Sequence, residues 1–260
     1  MKNRWKNSMR TGGILRNIAI LCILALVVAC CHVPKAERGS GNVISRTETV
    51  QNVQRVELRG SGILELVQDG AQQLVIEAED NVMPHITATI MGDRLVLQRD
   101  DSFGTNVRPT RPVRYYLHIT ELRGIELNGS GNAYATSQLR CDELEIEVNG
   151  SGEVELDVAA MALMVDIRGS GEADLRGTAD HLVASVSGSG NLDAHHLVAQ
   201  EAQASVAGSG IMWLYAQSSL EAEVSGSGSI YYTGGAQITR QSISGSGSIS
   251  KRDFPASPAE

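Results

Sequence analysis

Apolar and polar residues alternate along most of this chain, and the alternation runs straight through glycine. Leu144, Ile146 and Val148 lead into Gly150 and Gly152 and on to Val154, Leu156 and Val158, all of one parity. One repeat later the same set is odd-numbered: Leu163, Val165, Ile167, Gly169, Gly171, Ala173 and Leu175. Period two over such lengths predicts strands with one buried face. Glycine inside a strand gives up about 0.5–1 kcal/mol relative to alanine, so its recurrence needs a structural cause.

The tripeptide Gly-Ser-Gly begins at Gly39, Gly60, Gly129, Gly150, Gly169, Gly188, Gly208, Gly226 and Gly245. From Gly129 onward the steps are 21, 19, 19, 20, 18 and 19 residues. A period near 20 without a helical pattern predicts one solenoid coil per repeat. Two residues before the first glycine stand Leu127, Val148, Ile167, Val186, Val206, Val224 and Ile243, a column that coils stacked about 4.8 Å apart would bury. Both glycines then fall in the inward set, at a bend without room for a Cβ. The alternative is a meander of hairpins, since Asn128-Gly129 and Asn149-Gly150 are two-residue turn signals. Later repeats lack the asparagine while keeping the period, which favours the solenoid.

Residues 61–128 break the rhythm. Alternating runs flank Asp69-Gly70 and Gly92-Asp93, "DNVMPHI" suggests a short helical turn, and the loop from Asp100 to Pro112 leads into the strand "VRYYLHI". The N-terminus has another character. Lys2, Arg4, Lys6, Arg10 and Arg16 precede the apolar run Ile18 to Ala29, which ends in "VVAC". That run is shorter than the roughly 20 residues that span a bilayer. The order predicts an export signal, with either Met1 or Met9 as its start. "VVAC" resembles a lipobox, which implies Cys30 as the lipidated N-terminus of the mature chain. The expected division is a signal segment 1–29, a tether 30–42, a first β section 43–128, regular coils 129–250 and a disordered tail 251–260.

Removing the signal leaves 17 basic residues against 30 acidic ones, a net charge of −13. That argues against a nucleic-acid partner and leaves acyl chains to hold the protein at a membrane. Cys31 and Cys141 are the remaining cysteines, with neither a disulfide framework nor zinc spacing.

The lipobox, "VQRVELRGSGILELVQ", "GDRLVLQ" and "VRYYLHITELRGIELNGSGNA" running into Gly-Ser-Gly coils resemble the head GIN domain family of bacterial envelope proteins. The likeness extends from about Val43 to Ser250. It implies an all-β, right-handed parallel β-helix-like solenoid and an adhesin-like role, and it brings no catalytic residues and no cofactor. Pectinase-type catalysis is the enzymatic alternative, but coils this short leave no room for its loops.

Three surface constellations remain. His195 and His196 near Asp193 are expected at a strand end and form no metal site. Glu126, Glu147 and Asp166 share one outward position in successive coils, where like charges need screening or bridging. Five residues after each first glycine stand Tyr134, Glu155, Asp174, Asp193, Trp213 and Tyr231. Trp213, Tyr231, Asp193 and Asp174 form the candidate binding surface, for a glycan or an envelope protein. The expectation is a non-enzymatic, lipid-anchored binding module of the bacterial cell envelope, on the periplasmic or outer face of the outer membrane. The alternatives are a structural or regulatory envelope protein and, third, a polysaccharide-active enzyme.

Overall fold

The computed structural model describes residues 37–100 and 107–253. The signal segment, Cys30, Cys31 and most of the tail lie outside them. The chain folds as a β-solenoid of about seven turns, and among the described residues its only helical element is a 3-10 turn, Met83–His85, within the predicted "DNVMPHI". Strands β1 to β9 are Glu37–Arg38, Val43–Thr49, Arg55–Gly60, Ile63–Gln68, Gln73–Glu79, Ile86–Met91, Arg94–Arg99, Val107–Arg108 and Arg114–Ile119. Strands β10 to β14 are Gly124–Gly129, Asn132–Ala135, Leu139–Gly150, Glu153–Gly169 and Glu172–Gly188. Strands β15 to β19 are Asn191–Gly208, Ile211–Gly226, Ser229–Thr233, Gln237–Gly245 and Ser248–Lys251.

From β10 onward each coil lies parallel and in register on the one before. Leu127 pairs with Val148, Val148 with Ile167, and Ile167 with Val186. The aliphatic column is the core: Leu127, Val148, Ile167, Val206 and Val224 are all 0% exposed. Burying each such side chain contributes about 1.5–3 kcal/mol. Parallel pairing through Asn128-Gly129 and Asn149-Gly150 rules out hairpins there. The two asparagines instead form a side-chain ladder, Asn149 donating to Asn128 at 3.0 Å.

The two glycines of each tripeptide have different causes. The first has φ between 117° and 140° from Gly129 to Gly245, and a Cβ on Gly169 would stand 2.6 Å from the Gly150 carbonyl oxygen. That oxygen accepts the Ser170 N–H at 2.8 Å, a bond repeated down the stack. The second glycine is buried, and a Cβ on Gly171 would meet Val148 Cγ1 at 2.5 Å. Only the second is packed into the interior. The first, half-exposed or exposed, is required by positive φ and close backbone approach.

The first section is a coil and its cap. β3 and β4 form a coil around Gly60, with β10 and β11 on one side and β7 and β9 on the other. Beyond these, β6 lies antiparallel on β7, β5 on β9 and β2 on β5. The chain thus leaves the stack after one coil, covers its end, and returns beneath.

Gly39-Ser40-Gly41 stands outside the glycine column, a departure from the repeat read in the sequence. It wraps the buried Glu79 carboxylate, which accepts N–H bonds from Gly41 and Thr110, each at 2.7 Å. A Cβ on Gly39 would meet that carboxylate at 2.0 Å. Burial works against the Glu79 charge, but these bonds prevail and hold its carboxyl below the usual range.

Candidate binding face

On the strands that follow each Gly-Ser-Gly, the outward residues line up because the rungs are in register. Tyr134 pairs with Glu155, Glu155 with Asp174, Asp174 with Asp193, Asp193 with Trp213 and Trp213 with Tyr231. The structure extends this column into the cap, where Glu65 pairs with Tyr134 and Tyr116 with Glu65. Glu65 keeps the same spacing, five residues after Gly60, whereas Tyr116 follows no Gly-Ser-Gly. The only signal for Tyr116 was outward parity in "VRYYLHI".

Trp213 and Tyr231 are half-buried and stacked, with ring centroids 6.2 Å apart and planes at 29°. The Arg252 guanidinium lies 5.4 Å from the Tyr231 centroid. Such offset stacking contributes about 0.5–1.5 kcal/mol beyond area burial, and a cation over a ring adds to it. At the other end, the Tyr134 hydroxyl donates to Glu65 at 2.7 Å. That hydrogen bond, with burial behind it, raises the Tyr134 pKa.

The carboxylates between the aromatic ends have partners of their own. Arg176 donates to Asp174 at 3.3 Å and stands 3.7 Å from Glu155. Asp193 is hydrogen-bonded to the His195 ring. The two histidines lie inside β15 rather than at a strand end. Extra residues of β15 bulge out between Asp193 and Val198, against both neighbouring coils, and the rings of His195 and His196 meet at 3.7 Å. A bulge re-aims side chains in this way; its trace in the sequence is the 20-residue step from Gly188 to Gly208. Among the described residues no group of three His, Cys, Asp or Glu is placed to hold a metal ion. What this face offers is flat ring surface, the Arg176 and Arg252 guanidiniums and carboxylate acceptors along one row.

The strands before each tripeptide carry the acidic column. Glu126 pairs with Glu147 and Glu147 with Asp166, and Glu57 adds a rung above. These like charges are bridged within the protein. Arg94 contacts Glu57 and Glu126, Arg168 contacts Glu147 at 3.0 Å and Asp166, and Asn128 donates to Glu57 at 2.8 Å. Burial opposes the Glu57 charge, yet Arg59, Asn128 and Arg94 together hold its carboxyl below the usual range. Beside this column, Ala162, Leu163, Met164 and Val183 line a depression of about 360 Å³ together with Arg55, Arg123, Glu143, Glu145 and His181, with Met164 49% and Val183 40% exposed.

Comparison with known proteins finds the family described as "Putative auto-transporter adhesin, head GIN domain" over residues 52–236. A solved "putative adhesin" from Bacteroides fragilis is 30% identical, with a TM-score of 0.78, over 83% of this chain and 99% of that one. A "putative lipid binding protein" from Parabacteroides distasonis is 27% identical, with a TM-score of 0.65, over 84% of this chain and 100% of the other. A "putative adhesin" from Parabacteroides merdae, 20% identical with a TM-score of 0.63 over 83% of this chain and 98% of that one, shares the fold. No curated protein adds a further match.

Proposed function

This chain belongs to the head GIN domain family, and from that membership we propose an adhesin-like binding module of the cell envelope that works through Trp213, Tyr231, Asp193 and Asp174. The observation that carries the reading is the register-aligned aromatic and carboxylate row. A sugar ring presents C–H faces to flat aromatics and hydroxyl edges to carboxylates, so a surface glycan fits the row. A protein partner would use the same rings as anchors. The module is held at the membrane by acyl chains on Cys30, a reading supported by the basic, apolar, "VVAC" order. Binding without catalysis is supported by the names of its relatives.

The double change Trp213→Ala with Tyr231→Ala tests the face. Binding to a glycan array or to whole cells should fall about tenfold or more, the loss of one or two good contacts, while the melting temperature moves little. A large loss of stability with unchanged attachment would reduce the rings to a packing ladder. Loss of cell binding without any glycan signal would favour a protein partner. Cys30→Ala should release the protein from the membrane fraction, and unchanged fractionation would remove the anchor from the reading.

The depression at Met164 and Val183, apolar on one side and lined by Arg55 and Arg123 as well, favours a second reading, capture of a lipid with its acidic headgroup, in keeping with the name of the relative at 27% identity. Met164→Asp should then abolish binding of a fluorescent fatty acid and leave the Trp213 face untouched.

A further inference from the structure

The two ends of the stack are finished differently. At the cap, antiparallel β6 and β5 lie on the outermost parallel strands β7 and β9, and Leu95 and Leu97 beneath them are 0% exposed. At the far end β18 pairs with β16 and β19 with β17, and among the described residues no strand lies on their outer edge. Exposure changes within one rung. Val224 is 0% exposed and its partner Ile243 44%; Leu220 is 0% and its partner Ile238 38%.

Charges, which usually keep strand edges apart, stand only at Arg240 in β18 and Lys251 in β19. No residue from Gln241 to Ser250 is charged. The body behind it is strongly acidic, with 16 acidic residues against three arginines between Gly124 and Ala236. The last coil reverses that sign, carrying Arg240, Lys251 and Arg252 against Asp253.

We propose that this open end is an interface between two copies of the chain, joined tail to tail about a two-fold axis. Such an axis runs the mate's last strands antiparallel to β18 and β19, the arrangement by which the molecule closes its own cap. The pairing satisfies the free N–H and C=O groups of both edges, which neither a lipid nor a glycan would do, and covers Ile238 and Ile243. The residues after Asp253 include Pro255 and Pro258, which lack the N–H a ladder strand must donate. A two-fold contact also stops at two copies.

The inference deepens the adhesin-like reading and rests on it for its biological sense. Glu37 and the Glu79 clamp sit at the cap, so tail-to-tail pairing would join two copies held at opposite surfaces. The experiment is sedimentation velocity with small-angle scattering on the full chain in a non-ionic detergent. The expected result is a concentration-dependent dimer whose longest dimension is about twice that of one chain, as an end-on two-fold pair requires. Ser244→Lys with Ser250→Lys puts like charges on the edge without touching the core. This pair should raise the dimer dissociation constant about tenfold or more and leave the melting temperature of the monomer unchanged. Ile243→Asp should act in the same direction, and the lysine pair decides the matter if that variant fails to fold. A strict monomer, a dimer indifferent to the lysines, a side-by-side dimer, or a growing head-to-tail series would each overturn the inference. A dimer with no attachment to cells or glycans would uphold the interface and sink the adhesin-like reading, and attachment by a strict monomer would do the reverse.

Discussion

Gly169, Ser170 and Gly171 show at the scale of single residues that one tripeptide can carry two steric demands and one neutral position. Gly169 holds φ at 117° within 2.6 Å of a carbonyl for any added Cβ, and Gly171 faces Val148 in the interior. Gly171→Val should therefore lower stability by several kcal/mol, in the range of overpacked cores. Gly169→Ala should cost about 1–3 kcal/mol through backbone strain. Ser170 is exposed, so Ser170→Ala should stay within about 0.5 kcal/mol. Denaturant midpoints of the three variants check the order, and a serine variant worse than either glycine variant would contradict it.

Among the elements, the acidic column shows how parallel strands in register turn a single carboxylate into a row. The row is tolerable because Arg94 and Arg168 reach across the rungs. The pKa of buried Glu57 is lowered from its ordinary 4.5, so the folded state favours its ionised form. Its contribution to stability is then complete above about pH 4.5 and is lost as the pH falls through the lower, folded value. Glu79, lowered in the same way, acts in the same direction. Melting temperature should be flat from about pH 7 to 5 and fall below that window. Glu57→Gln should start lower at neutral pH and decline less steeply in acid. An unchanged acid slope would mean that other carboxylates govern it.

For the whole molecule, the cap and the open end have unequal weight. Solenoid stability is close to a sum over coils and their interfaces. Truncation after Ala236 should therefore leave a folded, shorter stack with a proportionately smaller denaturant m-value. Leu95, 0% exposed under the cap, differs because its neighbours close the core. Leu95→Ala should cost about 2–5 kcal/mol, read as a shifted midpoint at nearly constant m. If truncation abolished folding, the last coil would be part of an indivisible core.

The sequence by itself determined the strand pattern, the coil period and the in-register columns of the regular section. Each depends on alternation and spacing within about 20 residues, and the parallel stack copies that local order into space. The column from Tyr134 to Tyr231 was legible for this reason. Only the tertiary structure decided where residues 43–123 go. β7 and β9 stack outside β3 and β4, so Tyr116 joins the row beyond Glu65, which already kept the spacing from Gly60. It also separated two uses of one tripeptide, since Gly39-Ser40-Gly41 meets Glu79 while the later copies meet the glycines of the coil before. The physical reason is the same in both cases. Local sequence sets which face a side chain takes, but its neighbour across that face comes from whichever segment the long connections bring there.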